Sequence, residues 1–182
     1  MRHLTICVYG AASSNIDDIY IAETERLGRE LGARRHKLIY GGGASGLMGA
    51  CARGVAAASG EVIGVVPKFM SAFEALNRDC TEFIETETMS ERKDIMESRA
   101  DAFIIVPGGI GTMDEFFQVL TLEELKRKSA PIILFNINGY YDTLIHFIDD
   151  CVKKGFIRVA VKDLFRVCDD PNDALDIIEY FA

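Results

Sequence analysis

Two kinds of stretch alternate along the chain. Short, mostly continuous apolar runs recur as "HLTICVYG", "KLIYG", "EVIGVVP", "CTEFIETE", "DAFIIVP", "APIILFNI" and "LFRVC". Between them lie longer stretches whose apolar residues fall three and four apart: "IDDIYIAETERLGRELGAR", "GLMGACARGVAAAS", "MSERKDIMESRA", "TMDEFFQVLTLEELKRK", "YYDTLIHFIDDCVKKG" and "PNDALDIIEYFA". The first kind predicts strands and the second helices. Gly155 stops one helix, and Pro171 stands near the start of the last.

Strands that alternate with helices predict an α/β fold: a Rossmann-like, doubly wound parallel sheet of about seven strands with helices on both faces. Right-handed crossovers gather the loops that leave the strands on one edge. Ligands of such sheets bind in the crevice beyond those carboxyl ends. No linker, repeat or low-complexity segment interrupts residues 1–182, which predicts a single nucleotide-binding domain. Residues 68–88 are the least regular and are expected to cover the crevice.

Composition narrows the function classes. Hydrophobic residues make up 49% of 182, enough for a packed core. A net charge of −8 argues against nucleic acid as a partner. No apolar run approaches the roughly 18 residues of a spanning helix, and the N-terminus reads as strand and loop, not as a signal peptide. No membrane association and a cytoplasmic location are therefore expected. The five cysteines (Cys7, Cys51, Cys80, Cys151, Cys168) form no C-x-x-C pair, and His3, His36 and His146 are scattered, so neither a disulfide frame nor a metal site is expected.

Three strands run into small-residue loops: "YGAASSN", "YGGGASGLMG" and "VPGGIGTMDE". Glycine lets a ligand approach the backbone, and the first N–H groups of a helix attract anions. Three such loops at one sheet edge point to a phosphorylated ligand; tight strand-to-helix turns are the plainer reading. The second loop contains G-x-G-x-x-G at Gly41, Gly43 and Gly46, but the next strand ends in Pro67 and Lys68 without the ribose-binding acid of a dinucleotide site. No P-loop sequence occurs.

Thr112 and Glu115 have the T-x-x-E spacing of a capping box, as Ser71 and Glu74 have its serine form. Glu115 would also sit one turn into a helix whose start faces the crevice. In "MSERKDIM", Met89, Arg92, Lys93 and Met96 share one helix face. That mixture suits either a pocket wall for a flat base and an anion, or a core stripe with snorkelling cations.

These residues resemble the Lonely Guy family, whose signature P-G-G-x-G-T-x-x-E reads here from Pro107 to Glu115. "YGGGASGLMGA", "VIGVVPKFM", "MSERKDIM" and "INGYYDTLIHFIDDCVKKGFI" are similar to further family segments, so the resemblance covers nearly the whole chain. It implies a cytokinin riboside 5′-monophosphate phosphoribohydrolase, an N-glycosidase that releases free base and ribose 5-phosphate from an N6-substituted AMP. By position it implies Arg92 and Glu115 as the catalytic pair. It implies Glu74, Arg92, Lys93, Gly108, Gly109, Ile110, Gly111, Thr112, Met113, Asp114 and Thr121 as substrate contacts. It also implies a homodimer. Ser90 stands where the family usually has His, and Leu122 where a Trp often follows the Thr; both departures bear on base preference. Members are often labelled lysine decarboxylases, but no pyridoxal-phosphate lysine context is found here, and no metal or organic cofactor is expected.

The expected chemistry follows glycoside hydrolysis, with Glu115 stabilising positive charge at the ribose carbon and Arg92, a permanent cation, holding it. Two alternatives stay open. One is a non-catalytic carrier of a nucleotide or of the molybdenum cofactor, which needs the glycine loops alone. The other is a general nucleoside-monophosphate glycosidase with no cytokinin role.

Overall fold

The computed structural model describes residues 2–181. Its seven strands are β1 (Thr5–Tyr9), β2 (Lys37–Tyr40), β3 (Val62–Pro67), β4 (Glu82–Thr86), β5 (Ala102–Ile105), β6 (Ile132–Phe135) and β7 (Arg166–Cys168). Six helices alternate with them: α1 (Asp18–Ala33), α2 (Gly46–Ala57), α3 (Met89–Arg99), α4 (Ile110–Glu124), α5 (Asp142–Lys153) and α6 (Pro171–Phe181). The expectation that the last helix reaches Ala182 falls outside the described residues. All strand pairs are parallel, in the order β4-β3-β2-β1-β5-β6-β7. This is the expected Rossmann-like α/β sheet.

Strand side chains alternate between two cores, as a pleated strand buried on both faces requires. Ile6, Val8, Leu38, Tyr40 and Ile104 pack with Leu27 and Leu31 of α1, Cys51 and Val55 of α2, and Leu175 of α6. Cys7, Tyr9, Ile39, Val65, Phe103 and Ile105 pack on the other face with Met96 of α3, Phe116 and Val119 of α4, and Ile148 of α5. Polar β4 covers the sheet edge, with Glu82 gripped by Arg99 at 2.7 and 2.8 Å.

The chain reverses direction across the sheet between β1 and β5, which lie side by side. The loops after these two strands therefore open apart from one another, the arrangement that leaves a crevice. Ala11 N–H donates to the Pro107 carbonyl at 3.0 Å and ties the two loops at their base.

On the α1–α2 face the helices approach backbone to backbone. A Cβ on Gly28 would stand 2.2 Å from the Cys51 carbonyl oxygen, and one on Gly54 would stand 2.2 Å from that of Glu25. Replacing Gly28 by alanine should therefore destabilise the fold by roughly 1–3 kcal/mol, outweighing the roughly 1 kcal/mol that alanine offers a helix interior. Urea unfolding of Gly28→Ala checks this; an unchanged or raised midpoint would contradict the close packing.

Candidate functional site

The three glycine loops do not play the same part. The first turns back beneath α2: the Ala11 carbonyl accepts from Leu47 N–H at 2.9 Å and from Met48 N–H at 3.3 Å. The start of α2 is thus capped by the chain's own backbone. The second loop is strapped over by the segment after β3, a 3-10 turn at Lys68–Ala72 followed by irregular chain. Ala44 N–H donates to the Ala75 carbonyl at 2.9 Å, and Asn77 N–H donates to that of Gly42 at 2.8 Å. Of residues 68–88, expected to cover the crevice, the first part straps this second loop and the far end is β4. For the first loop the plainer reading, a tight structural turn, fits these contacts.

The third loop is open at the start of α4. Gly109 is the residue before the first turn of α4, with no side-chain cap. Nothing lies within 4 Å of the places where Cβ atoms of Gly109 or Gly111 would stand, and Ile110 between them is 90% exposed. The first turn of a 15-residue helix, the end that carries partial positive charge, is exposed there at Gly109, Ile110 and Gly111. Two tyrosines that sequence reasoning missed hold the loop from below. Tyr141 donates its hydroxyl to the Val106 carbonyl and Tyr140 to that of Gly108, both at 2.7 Å. The pair follows β6 in a turn where Asn138 has a positive φ of 51°, not in a helix as its sequence pattern predicts.

Thr112 and Glu115 lie inside α4, so neither caps it. Thr112 is buried and folds back over Gly108, where a Cβ would meet its Oγ1 at 2.0 Å. Ser71 likewise bonds the Lys68 carbonyl instead of capping a helix. The T-x-x-E that does cap is one the sequence reading passed over. Thr88 accepts from the Glu91 N–H at 3.1 Å, and Glu91 accepts in turn from the Glu87 N–H at 2.9 Å. This cap fixes the start of α3 and so aims Arg92.

Arg92 and Glu115 meet between α3 and α4. Arg92 Nη1 donates to Glu115 Oε1 at 3.3 Å, and Arg92 Nε donates to the Val65 carbonyl at 3.1 Å. Both residues are only 8% exposed. Gly41 makes room for the guanidinium: a Cβ there would stand 2.0 Å from Nη2. Beside the pair, Lys93, one residue after Arg92, bonds Asp114, one residue before Glu115, at 2.9 Å. Glu74, half-buried on the strap, comes to Gly43: a Cβ there would lie 3.5 Å from its Oε2.

Burial dominates the electrostatics. It pushes the Glu115 carboxyl up from 4.5 to about 7, and Arg92 pulls it partly back. Burial likewise raises the Glu74 carboxyl, again opposed by Arg92. A carboxylate balanced near neutrality in a cleft is a frequent sign of a working group.

The structure thus brings together Glu74, Arg92, Lys93, Asp114 and Glu115 beside the Gly108–Thr112 turn. Met113 packs partly against the core, and Met96 is wholly buried in it. The pocket-wall reading of the methionine stripe therefore fails at Met96. Thr121 stands apart: its hydroxyl donates to the Phe117 carbonyl at 2.7 Å, and it lines a shallow hollow with Phe156 and Arg158. Among the described residues no group of three His, Cys, Asp or Glu could hold a metal ion, and no helix is long and apolar enough to cross a membrane.

Several known proteins are similar to the chain. A family model described as "Possible lysine decarboxylase" matches residues 48–178. A cytokinin riboside 5′-monophosphate phosphoribohydrolase of Arabidopsis thaliana is 34% identical over 181 residues, covering 100% of this chain and 85% of its own. A protein of Oryza sativa subsp. japonica, named as a probable enzyme of the same activity, is 37% identical and covers 100% of this chain and 80% of its own. Among solved structures, the molybdenum cofactor carrier protein of Chlamydomonas reinhardtii superposes with a TM-score of 0.72 at 20% identity, covering 99% of this chain and 98% of its own. The molybdenum cofactor binding protein of Rippkaea orientalis gives 0.72 at 18% identity, with the same coverage of both chains. At that identity the likeness carries the fold alone. The matches run over 181 residues of this chain and take in the glycine turn and the Arg92–Glu115 pair: the chain belongs to the Lonely Guy family, the group also described as possible lysine decarboxylases.

Proposed function

We propose that this protein is a phosphoribohydrolase that cleaves the N-glycosidic bond of adenosine 5′-monophosphate or an N6-substituted form of it. The names of its relatives support the reaction class. The observation that carries the reading here is the buried Arg92–Glu115 pair beside the open start of α4.

In this reading the 5′-phosphate lies against the backbone of Gly108, Gly109, Ile110, Gly111 and Thr112, with Lys93 close by. Holding that remote group places the ribose for reaction. As the bond from C1′ to the base nitrogen lengthens, its electron pair leaves with the base and C1′ gains positive charge. Ionised Glu115 stabilises that charge and orients the attacking water. Water supplies the hydroxyl to C1′ and, in net terms, the proton to the base. Arg92, fixed by the Val65 carbonyl, keeps Glu115 in place and favours its charged form. Glu74 on the strap and Met113 and Asp114 on α4 complete the substrate contacts. None of these steps calls on a metal or an organic cofactor. Nucleic acid and membrane have no part in the reading.

We place the protein in the cytoplasm as a homodimer and a single domain. Five free cysteines and a nucleotide substrate suit that compartment. Phe117 on α4, Leu125 just beyond it, and Phe156 and Val159 after α5 are exposed apolar side chains, suited to a second copy. Thr121 lines a hollow with Phe156, where it would contact substrate only through such an assembly.

The rival reading is a carrier that binds the nucleotide without cleaving it. It needs the open turn but not the pair. Incubation with AMP, N6-isopentenyl-AMP, GMP and CMP, followed by assay of free base, separates the two. Release from the adenine nucleotides is expected. Glu115→Gln should lower turnover by roughly 10²–10³, and Arg92→Ala should damage it comparably. Bound but intact nucleotide, or full activity in Glu115→Gln, would overturn the reading.

Stability provides an independent check on Glu115. Its folded carboxyl titrates near 7 and its unfolded carboxyl near 4.5, so between these values the folded state holds the extra proton. Stability must then fall as pH rises through that window, by up to about 3 kcal/mol. Glu115→Gln should flatten this slope in urea unfolding at pH 4.5 to 8. A wild-type slope identical to that of the variant would contradict the dry environment of the carboxyl.

A further inference from the structure

The strap over the second glycine loop has no core of its own. None of residues 68–80 is buried, and Phe73 on the strap is 78% exposed. A segment with so few buried contacts opens readily unless hydrogen bonds hold it. Among the described residues, the hydrogen bonds that join residues 69–77 to the body of the fold all end on residues 40–44. Two are the backbone bonds from Ala44 N–H to the Ala75 carbonyl and from Asn77 N–H to the Gly42 carbonyl. They flank an antiparallel bridge in which Leu76 faces Gly43. Glu74 comes to that same glycine, on the loop whose Gly41 makes room for Arg92.

The third bond comes from a side chain. Asn77 Nδ2 donates to the Tyr40 hydroxyl at 3.0 Å, while Asn77 Oδ1 accepts from the Asp79 N–H at 3.2 Å. The Asp79 bond fixes which way the amide points. Cys80 Sγ donates to the Asn77 carbonyl at 3.0 Å, so the sulfur is left to accept from the Tyr40 hydroxyl at 3.8 Å. A closed ring of hydrogen bonds thus runs from Asn77 to Tyr40, on to Cys80 and back to Asn77. Tyr40 is the last residue of β2 and is wholly buried. The ring therefore fastens the strap to the sheet itself, not merely to the neighbouring loop.

We propose that Asn77, through its bond to Tyr40, is a positioning residue for substrate binding: it holds the strap so that Glu74 stays at Gly43 on the rim of the crevice. The inference rests on the reading of Glu74 as a substrate contact. Two backbone bonds at the end of an irregular segment are a weak hold. The ring adds a buried anchor whose polar groups satisfy one another.

Asn77→Ala and Tyr40→Phe each open the ring, the second with the aromatic core kept. Each should raise KM for AMP about three- to tenfold, the worth of one hydrogen bond, with kcat within about twofold of wild type. Glu74→Ala should raise KM at least as far. In a Glu74→Ala background neither substitution should raise KM further, because the group that the strap positions is gone. A lesion that only weakened the fold would add to the effect of Glu74→Ala. An unchanged KM in both ring variants or in Glu74→Ala would overturn the inference. So would a KM rise that repeats in full in the Glu74→Ala background, or a fall in kcat with KM unchanged. Each of these leaves the phosphoribohydrolase reading intact. No base release by wild type at any AMP concentration would remove both.

Discussion

One constraint organises the site: a carboxylate and a guanidinium are held out of water in contact with each other. Removing charge from water costs several kcal/mol per ion, so such a pair persists only where the surroundings satisfy both groups. Here the Val65 carbonyl takes Arg92 Nε, Glu115 takes Nη1, and the missing side chain of Gly41 leaves the guanidinium its space. A capped helix start aims the arginine, and the turn after β5 places Glu115 on α4. The cost that remains appears as the raised Glu115 carboxyl, a strained charge state that the proposed reaction would use.

The sheet makes this possible by dividing labour among its loops. Placing β1 beside β5 sets two strand-to-helix turns at one edge. The first gives its carbonyl to the start of α2 and becomes scaffold. The third has no side-chain cap on its helix and is buttressed by Tyr140 and Tyr141. A ligand anion thus meets an uncapped helix start next to the buried pair. The likeness to molybdenum cofactor carriers extends over the fold, which an open turn alone would serve; the pair is what calls for chemistry.

Much of this was legible in the sequence. All seven strands and six helices lie where the alternation of patterns puts them, because buried strands and amphipathic helices leave distinct periods. The Arg92–Glu115 partnership was legible only through the family signature, since residues 23 apart carry no spacing rule. The errors share one cause: local spacing was asked to decide what tertiary contacts decide. Thr112–Glu115 has a capping pattern but sits inside a helix that begins at Ile110, whereas Thr88–Glu91 has the same pattern and caps. Met96 fits a pocket stripe by period, yet the sheet buries it. The use of Ala11 to cap α2 depends on the proximity of two loops far apart in sequence and left no signal. Tyr140 and Tyr141 read as helix because a left-handed Asn138 ahead of them is invisible to periodicity.

The account stands on Glu115 being the dry, titrating group on which catalysis depends, and titrating it directly is the sharpest test. In protein carrying 13C-labelled glutamate carboxyls, the Glu115 signal is the one absent from Glu115→Gln. Its midpoint should lie near 7 and coincide with the acid limb of base release from AMP. A Glu115 midpoint in the ordinary carboxylate range near 4.5, with the acid limb of catalysis elsewhere, would contradict the account.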